Sequence, residues 1–356
     1  MKRFLVLLSL VLIGRPFGVF ASLHEGQQDI IVAQNYIWSL TNEGKISLYN
    51  TNNGKPAEVK ITNTNKIQIL AKDASGIPVI ADQGHDIKRY QASANTWEKI
   101  GSFDGNISGM VFDNKNRCYL ISTKGILDLS TGKNYFSNQG NNYERTITDK
   151  WNEPSAYFID RKDNIWIGFD YGEWGGDALV FNTLKNEFIV PDFKKVSISS
   201  YPVQCFFEDS TAVYVSTSLM HFEISGSLIK FENLSAKYVL ETTYHRKDST
   251  KTFYEEGNLI EGEYIGPGAY NNYNHSIYFY SQNGIFKGAK SKDLSKMENW
   301  QLVVKPDLTW TAGQAKAVGD ALNVLKLIIL DKDKFVFLSE NNGIGFYDGK
   351  VLEMIK

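Results

Sequence analysis

FIDRKDNIWIGF, residues 158–169, decides how this chain folds. Two apolar runs flank a polar turn headed by Asp160, and the second run carries Ile165, Trp166 and Ile167. A carboxylate at the head of such a turn accepts hydrogen bonds from backbone N–H groups a few residues on. The stretch therefore reads as two short strands joined tightly. The same order recurs as VFDNKNRCYLIS around Tyr119 and FFEDSTAVYVST around Tyr214. It is looser in LAKDASGIPVIA around Val79 and IILDKDKFVFLS around Val336, and weaker in YIWSLT around Trp38 and HSIYFYS around Tyr278. In three copies a carboxylate precedes the anchor by six residues: Asp73 before Val79, Asp113 before Tyr119, Asp160 before Trp166.

Beyond each anchor lie a loop, a third strand such as ISLYN, IKRYQ, ILDLS, ALVFN or IGFYD, a polar turn, and a fourth strand such as EKIGSF, EFIVPDF or QLVVK. The anchors are 41, 40, 47, 48, 64 and 58 residues apart. Four short strands in about 40–50 residues is the period of a propeller blade, and the two longest spacings require insertions. A β-sandwich has short strands too, but not one four-strand order repeated seven times. With 19 Tyr, 21 Phe and 7 Trp in 356 residues, and little helical periodicity, the expected class is all-β. The expected fold is a seven-bladed β-propeller of four-stranded antiparallel blades, with six or eight blades as the alternatives. Insertions are expected at about 137–153, 234–268 and 306–321, and residues 351–356 supply the last blade with its own fourth strand.

NIWIGF followed by ALVFNTLKNEF resembles the repeat of the bacterial two-component-regulator propellers, best over residues 156–190 and partially near 109–136 and 331–348. That resemblance implies a propeller placed in the periplasm, where the family's propellers form sensor regions ahead of a membrane helix and a kinase. This chain departs from that plan, with no second membrane segment and an end inside its last blade.

Residues 1–21 read as a cleavable signal peptide: Lys2 and Arg3, an apolar run over 4–13, and Val19-Phe20-Ala21 as the cleavage site. The run is too short for a membrane-spanning helix, which takes about 20 residues. Residues 22–356 are then an exported propeller, periplasmic or extracellular, with no membrane insertion after cleavage. The formal charge is −2, and losing Lys2, Arg3 and Arg15 makes it −5. Nucleic acid is not an expected partner, since phosphate binding needs clustered Lys and Arg. Cys118 and Cys205 fall two blades apart, too far for a disulfide, and are expected as buried free thiols.

Strand direction alternates within a blade, so loops sort by face. The connections from second to third strand, and from one blade to the next, emerge on one face, here the loop face. The connections from first to second and third to fourth strand emerge on the other, the turn face. The turn face is assigned mostly tight turns: 51–54, 73–76, 131–133 and Ser225-Gly226, with one longer loop at 290–298. The loop face receives DYGEWGGD at 170–177, the link at 137–153, the stretch at 234–268 and that at 306–321. Long loops on a rigid scaffold are where binding residues concentrate.

Trp38, Trp97, Trp166 and Trp300 are assigned to blade packing. Trp151, Trp174 and Trp310 lie in loop-face connections, with Tyr143, Tyr171, Tyr264 and Tyr270. Aromatic rings beside carboxylates suit sugars, the ring covering apolar C–H faces and the carboxylates taking hydroxyls. The candidate ligand-binding residues are Trp174, Tyr171, Glu173, Asp170, Asp177, Trp151, Tyr143, Trp310 and His245. His85, His221 and His245 share the loop face without metal-ligand spacing, and no cofactor or metal is expected. The expected function is an exported non-enzymatic binding propeller that engages a glycan or protein ligand. The alternative is a polysaccharide lyase or glycosidase on the same scaffold, using histidines and carboxylates gathered at the channel mouth.

Overall fold

The computed structural model describes residues 27–355 apart from 60, 62–64, 138–149, 194, 221–223, 244, 249, 252–258 and 309–323. Seven antiparallel sheets follow one another along the chain, at residues 27–50, 67–102, 109–135, 154–189, 203–242, 268–304 and 324–355. These are the seven blades. Six have four strands in sequence order. Among the described residues blade 1 has three, its edge extended only by a bridge between Tyr49 and Pro56.

The Asp-headed turn forms as its chemistry requires. Asp160 Oδ1 accepts from the backbone N–H of Lys162 at 2.8 Å and of Asn164 at 2.9 Å, while Oδ2 accepts Trp166 Nε1–H at 2.9 Å. One carboxylate thus closes the turn and fixes the anchor ring. The residue completing the turn adopts a left-handed backbone: Gly76 at φ +75°, Asn116 at +65° and Asp163 at +61°. Asn and Asp tolerate that conformation better than other non-glycine residues. In blade 5 the turn is shorter, and Asp209 takes the Tyr214 hydroxyl at 2.7 Å in place of an indole.

The turns also reach one another. Asn116 Oδ1 accepts the Ala74 N–H of blade 2 at 2.9 Å, Asp163 Oδ1 accepts the Asn114 N–H of blade 3 at 2.8 Å, and Glu208 accepts the Arg161 N–H of blade 4 at 3.2 Å. A hydrogen-bonded belt therefore runs across the turn face from blade 2 to blade 5.

All seven anchors lie in second strands and are at most 2% exposed. The core is a set of seven wedges, each between two blades, and each anchor belongs to the wedge facing the next blade. Trp38 packs with Leu70 and Ile80, Trp166 with Phe206 and Phe231, and Val336 with Ile30 and Ile37 of blade 1. Burying one such side chain is worth about 1.5–3 kcal/mol, so every blade depends on its neighbour.

The last wedge closes the ring without exchange of a strand. Leu352–Ile355 is blade 7's own fourth strand, as expected. Closure rests on Val336, Leu338, Ile344 and Phe346 against Ile30, Ile37 and Tyr49, with Lys326 Nζ 2.8 Å from Asp29.

Three expectations change. Residues 235–242 are not inserted: Ser235–Thr242 is blade 5's fourth strand, so the long connection starts at 243. Ser225-Gly226 lie inside the third strand, Ile224–Glu232, and the turn-face turn is Asn233-Leu234, both at positive φ. Two such residues make the tight turn whose twist suits a hairpin, which moves the boundary by eight residues. Tyr270, assigned to the loop face, sits at the turn-face end of Gly268–Asn271, its hydroxyl 3.1 Å from His275 Nδ1. Cys118 and Cys205 are both free. Among the described residues no helix is long and apolar enough to cross a membrane.

Candidate functional site

Blade order and strand direction bring the hairpin at 170–175 and the strand ends that flank 136–153, 243–267 and 305–323 to one face. The best-formed is the first. Asn164–Asp170 and Gly176–Asn182 stay paired up to Asp170 opposite Gly176, and a 3-10 turn at Gly172–Trp174 caps the hairpin. Asp170 Oδ1 accepts the Gly172 N–H at 2.7 Å, and the Tyr171 N–H reaches Gly175 O at 2.9 Å. These bonds hold the tip in one shape and project Trp174, which is 84% exposed.

Gly175 lets the hairpin seat. Its φ is +86°, and a Cβ there would stand 1.8 Å from Ser199 O, in the link entering blade 5. Gly175→Ala is expected to cost about 1–3 kcal/mol, from backbone strain plus the clash. Gly132→Ala, with φ +68° but nothing within 4 Å of the new Cβ, should cost less. Urea denaturation midpoints of the two variants check the difference.

The other candidates separate. Glu173 and Asp170 are exposed beside Trp174, while Tyr171 is half-buried and stacks on Phe169 at 6.1 Å between ring centroids. Asp177 is 3% exposed and accepts the Ala178 N–H at 2.6 Å, so it serves the hairpin's root. Trp151 departs from expectation: it is 4% exposed, packed against Phe169 and Phe188, with Nε1 donating to Ser137 O at 2.8 Å. The ring fills the wedge between blades 3 and 4 and pins both ends of the 138–149 connection, so it offers no face to a ligand. Tyr264 is likewise buried, its hydroxyl donating to Gln204 Oε1 at 2.8 Å. Burial pushes its phenol above the ordinary range, followed by the neighbouring Tyr280.

Tyr143 and Trp310 lie outside the described residues, as do His221 and the signal-peptide residues 1–21. His245 pairs with Ile260 in a two-stranded hairpin within the 243–267 connection, and its side chain is outside the description. His85 is exposed on blade 2, packed edge-on against Phe103, whereas Asp170 and Asp177 belong to blade 4. Among the described residues no group of three His, Cys, Asp or Glu is placed to hold a metal ion.

Sequence reasoning concentrated on loops and passed over the axis. The innermost strands enclose a cavity of about 670 Å³, lined by Gln28, Asp29, Gln68, Lys72, Gln204 and Lys326 among others. A legible signal was present: Lys72 in IQILAK and Lys326 in VLKLII interrupt strands that are otherwise nearly all apolar.

No protein-family model matches the chain, and no curated protein matches it in sequence. Solved structures do. The β-propeller domain of Cps50 (Swd1) from Myceliophteria thermophila superposes with a TM-score of 0.59 at 9% identity, over 91% of this chain and 98% of that one. Hydrazine synthase of Kuenenia stuttgartiensis gives 0.57 at 9% identity, over 96% and 99%. The WD40 repeats of RRP9 give 0.54 at 11% identity, over 88% and 87%. Identities this low show a shared fold alone, and that fold is the seven-bladed β-propeller.

Proposed function

We propose that the protein is an exported, non-enzymatic binding propeller that engages a glycan or protein ligand through its loop face. The observation that carries this is Trp174, 84% exposed at the tip of a hairpin that hydrogen bonds hold rigid. An indole kept in water by an ordered backbone costs little to immobilise on binding. Such rings are the commonest anchors of protein interfaces and also stack on sugars. Glu173 and Asp170 beside it supply acceptors for hydroxyl or amide donors. Propellers commonly serve as binding scaffolds, and a site built on loops of a rigid ring agrees with that use. Export is supported by the signal-like residues 1–21, and a periplasmic setting by the resemblance of residues 156–190 to the two-component-regulator repeat.

A glycan array probed with the purified chain and with Trp174→Ala tests the reading. Loss of the array signals in Trp174→Ala, by at least tenfold in apparent affinity and with an unchanged melting temperature, supports a glycan ligand. A silent array, with Trp174-dependent cross-linking to an envelope protein, supports a protein ligand. Ligand capture indifferent to Trp174 overturns the proposal.

A further inference from the structure

The axial cavity falls within the 300–1,000 Å³ range of small-ligand sites, and its polar groups are presented by a repeated device. In five blades the innermost strand shifts register by one residue against its neighbour. The residue left over is Gln28, Gln68, Ser155, Gln204 or Leu325. All five line the cavity. A bulge re-aims one side chain and bends the strand, and here it turns a ring of side chains toward the axis at the loop-face end.

Most of that ring is committed to joining blades. Gln28 Nε2 donates to Gln68 O at 3.1 Å, Ser155 Oγ to Val203 O at 2.8 Å, and Gln204 accepts from Tyr264. The charges below are also largely matched. Lys326 pairs with Asp29 at 2.8 Å, and Glu208 with Arg161 at 3.2 Å. Lys72 is the exception. Among the described residues no carboxylate lies within ion-pair distance of it, and its Nζ meets only the Val32 carbonyl at 3.3 Å. The ammonium is open to the channel, yet the surrounding wall strips part of its hydration. That enclosure, followed by the like charge of Lys326, lowers its pKa from the ordinary lysine value. Gln68, on the same strand, also lines the cavity, and among the described residues its side-chain amide has no hydrogen bond. The two are four positions apart, about 13 Å along a strand.

We propose that the axial channel is a binding site for a small organic oxyanion, a carboxylate or a phosphate, with its charge on Lys72 and its far end against the Gln68 amide. A partly desolvated cation without a counter-charge is an arrangement that a bound anion favours. Lys72 ends the innermost strand of blade 2, so the charged end of the site faces the turn side, away from Trp174. The site does not depend on the loop-face reading.

Calorimetric titration of the purified chain with glucuronate, glucose and inorganic phosphate tests it. Glucuronate should bind at least tenfold more tightly than glucose. Lys72→Met should weaken glucuronate at least tenfold, Lys72→Arg should retain most of the affinity, and Gln68→Ala should cost about two- to fivefold. Phosphate binding as tightly as glucuronate, and equally lost in Lys72→Met, supports the site and identifies phosphate as its ligand chemistry. Failure of both anions to bind, or equal binding to Lys72→Met and the parent chain, overturns the proposal. Because Lys72 is solvent-accessible, matched melting temperatures of the Met and Arg variants separate lost binding from lost folding.

Discussion

Trp166→Ala is expected to lower the unfolding free energy by about 4 kcal/mol, among the largest effects of any single truncation in this chain. The indole is 1% exposed and lies between blades 4 and 5, with ring centroids 5.0 Å from Phe231 and 6.0 Å from Phe206. Truncation removes the transfer energy of the ring and leaves a cavity that two rigid sheets cannot close, a loss of about 3–5 kcal/mol for a buried Trp. It also strips Asp160 Oδ2 of its indole donor, although Asn164 Nδ2 at 2.9 Å keeps that oxygen bonded. Trp166→Phe separates the contributions, since it keeps most of the filling and loses only the N–H. Its cost should be about 1–2 kcal/mol. Urea unfolding of both variants, monitored by far-UV circular dichroism, checks the two values.

Asp209→Asn is expected to cost on the order of 3 kcal/mol at pH 7 and progressively less in acid. The Asp209 side chain has no exposed surface and pairs with Lys290 of blade 6, while accepting from the Tyr214 hydroxyl and the Thr211 and Ala212 N–H groups. Burial by itself pushes this carboxyl up. Lys290, Tyr214 and Thr211 together overcome that and hold it well below the usual carboxylate range. A carboxyl whose pKa is depressed in the folded state stabilises the protein above its unfolded value of about 3.9. That contribution is lost as pH falls through the folded value. The parent chain should therefore lose stability below about pH 4, and the gap to Asp209→Asn should narrow there. Urea midpoints of both proteins at pH 7, 5 and 3 test this; a gap constant across that range contradicts the assignment.

The repeat was legible because its chemistry is local. Asp160 caps its own turn and Trp166 sits six residues on, so spacing alone placed seven second strands and sorted the connections by face. Blade 5 was harder. Its third strand runs on through Ser225 and Gly226, and the true turn, Asn233-Leu234, lacks the glycine that usually marks one. Trp151 shows another boundary. Its position in a connection could be read, but its burial depends on Phe136, Phe169 and Phe188 from two blades, which no local pattern encodes. At the axis the lysines stood out in their strands, but the aim of the glutamines was illegible for a related reason. The bulges that aim Gln28, Gln68 and Gln204 at the axis are register shifts between strands, visible only once the strands are paired.

Each sheet, among the described residues, is drawn from one uninterrupted stretch of chain, the last one included. Propellers that share a closing strand must hold one blade unfinished until both ends have been synthesised. Here the hydrogen bonding of each blade lies within its own stretch of chain, and closure joins two separately built surfaces. The same modularity bears on descent. A whole blade can be duplicated or lost between two anchors without orphaning half of another, so blade number in such a lineage is free to drift while the closing wedge of Val336, Ile30 and Ile37 is retained. Circular permutants opened between blades should for the same reason assemble the same ring.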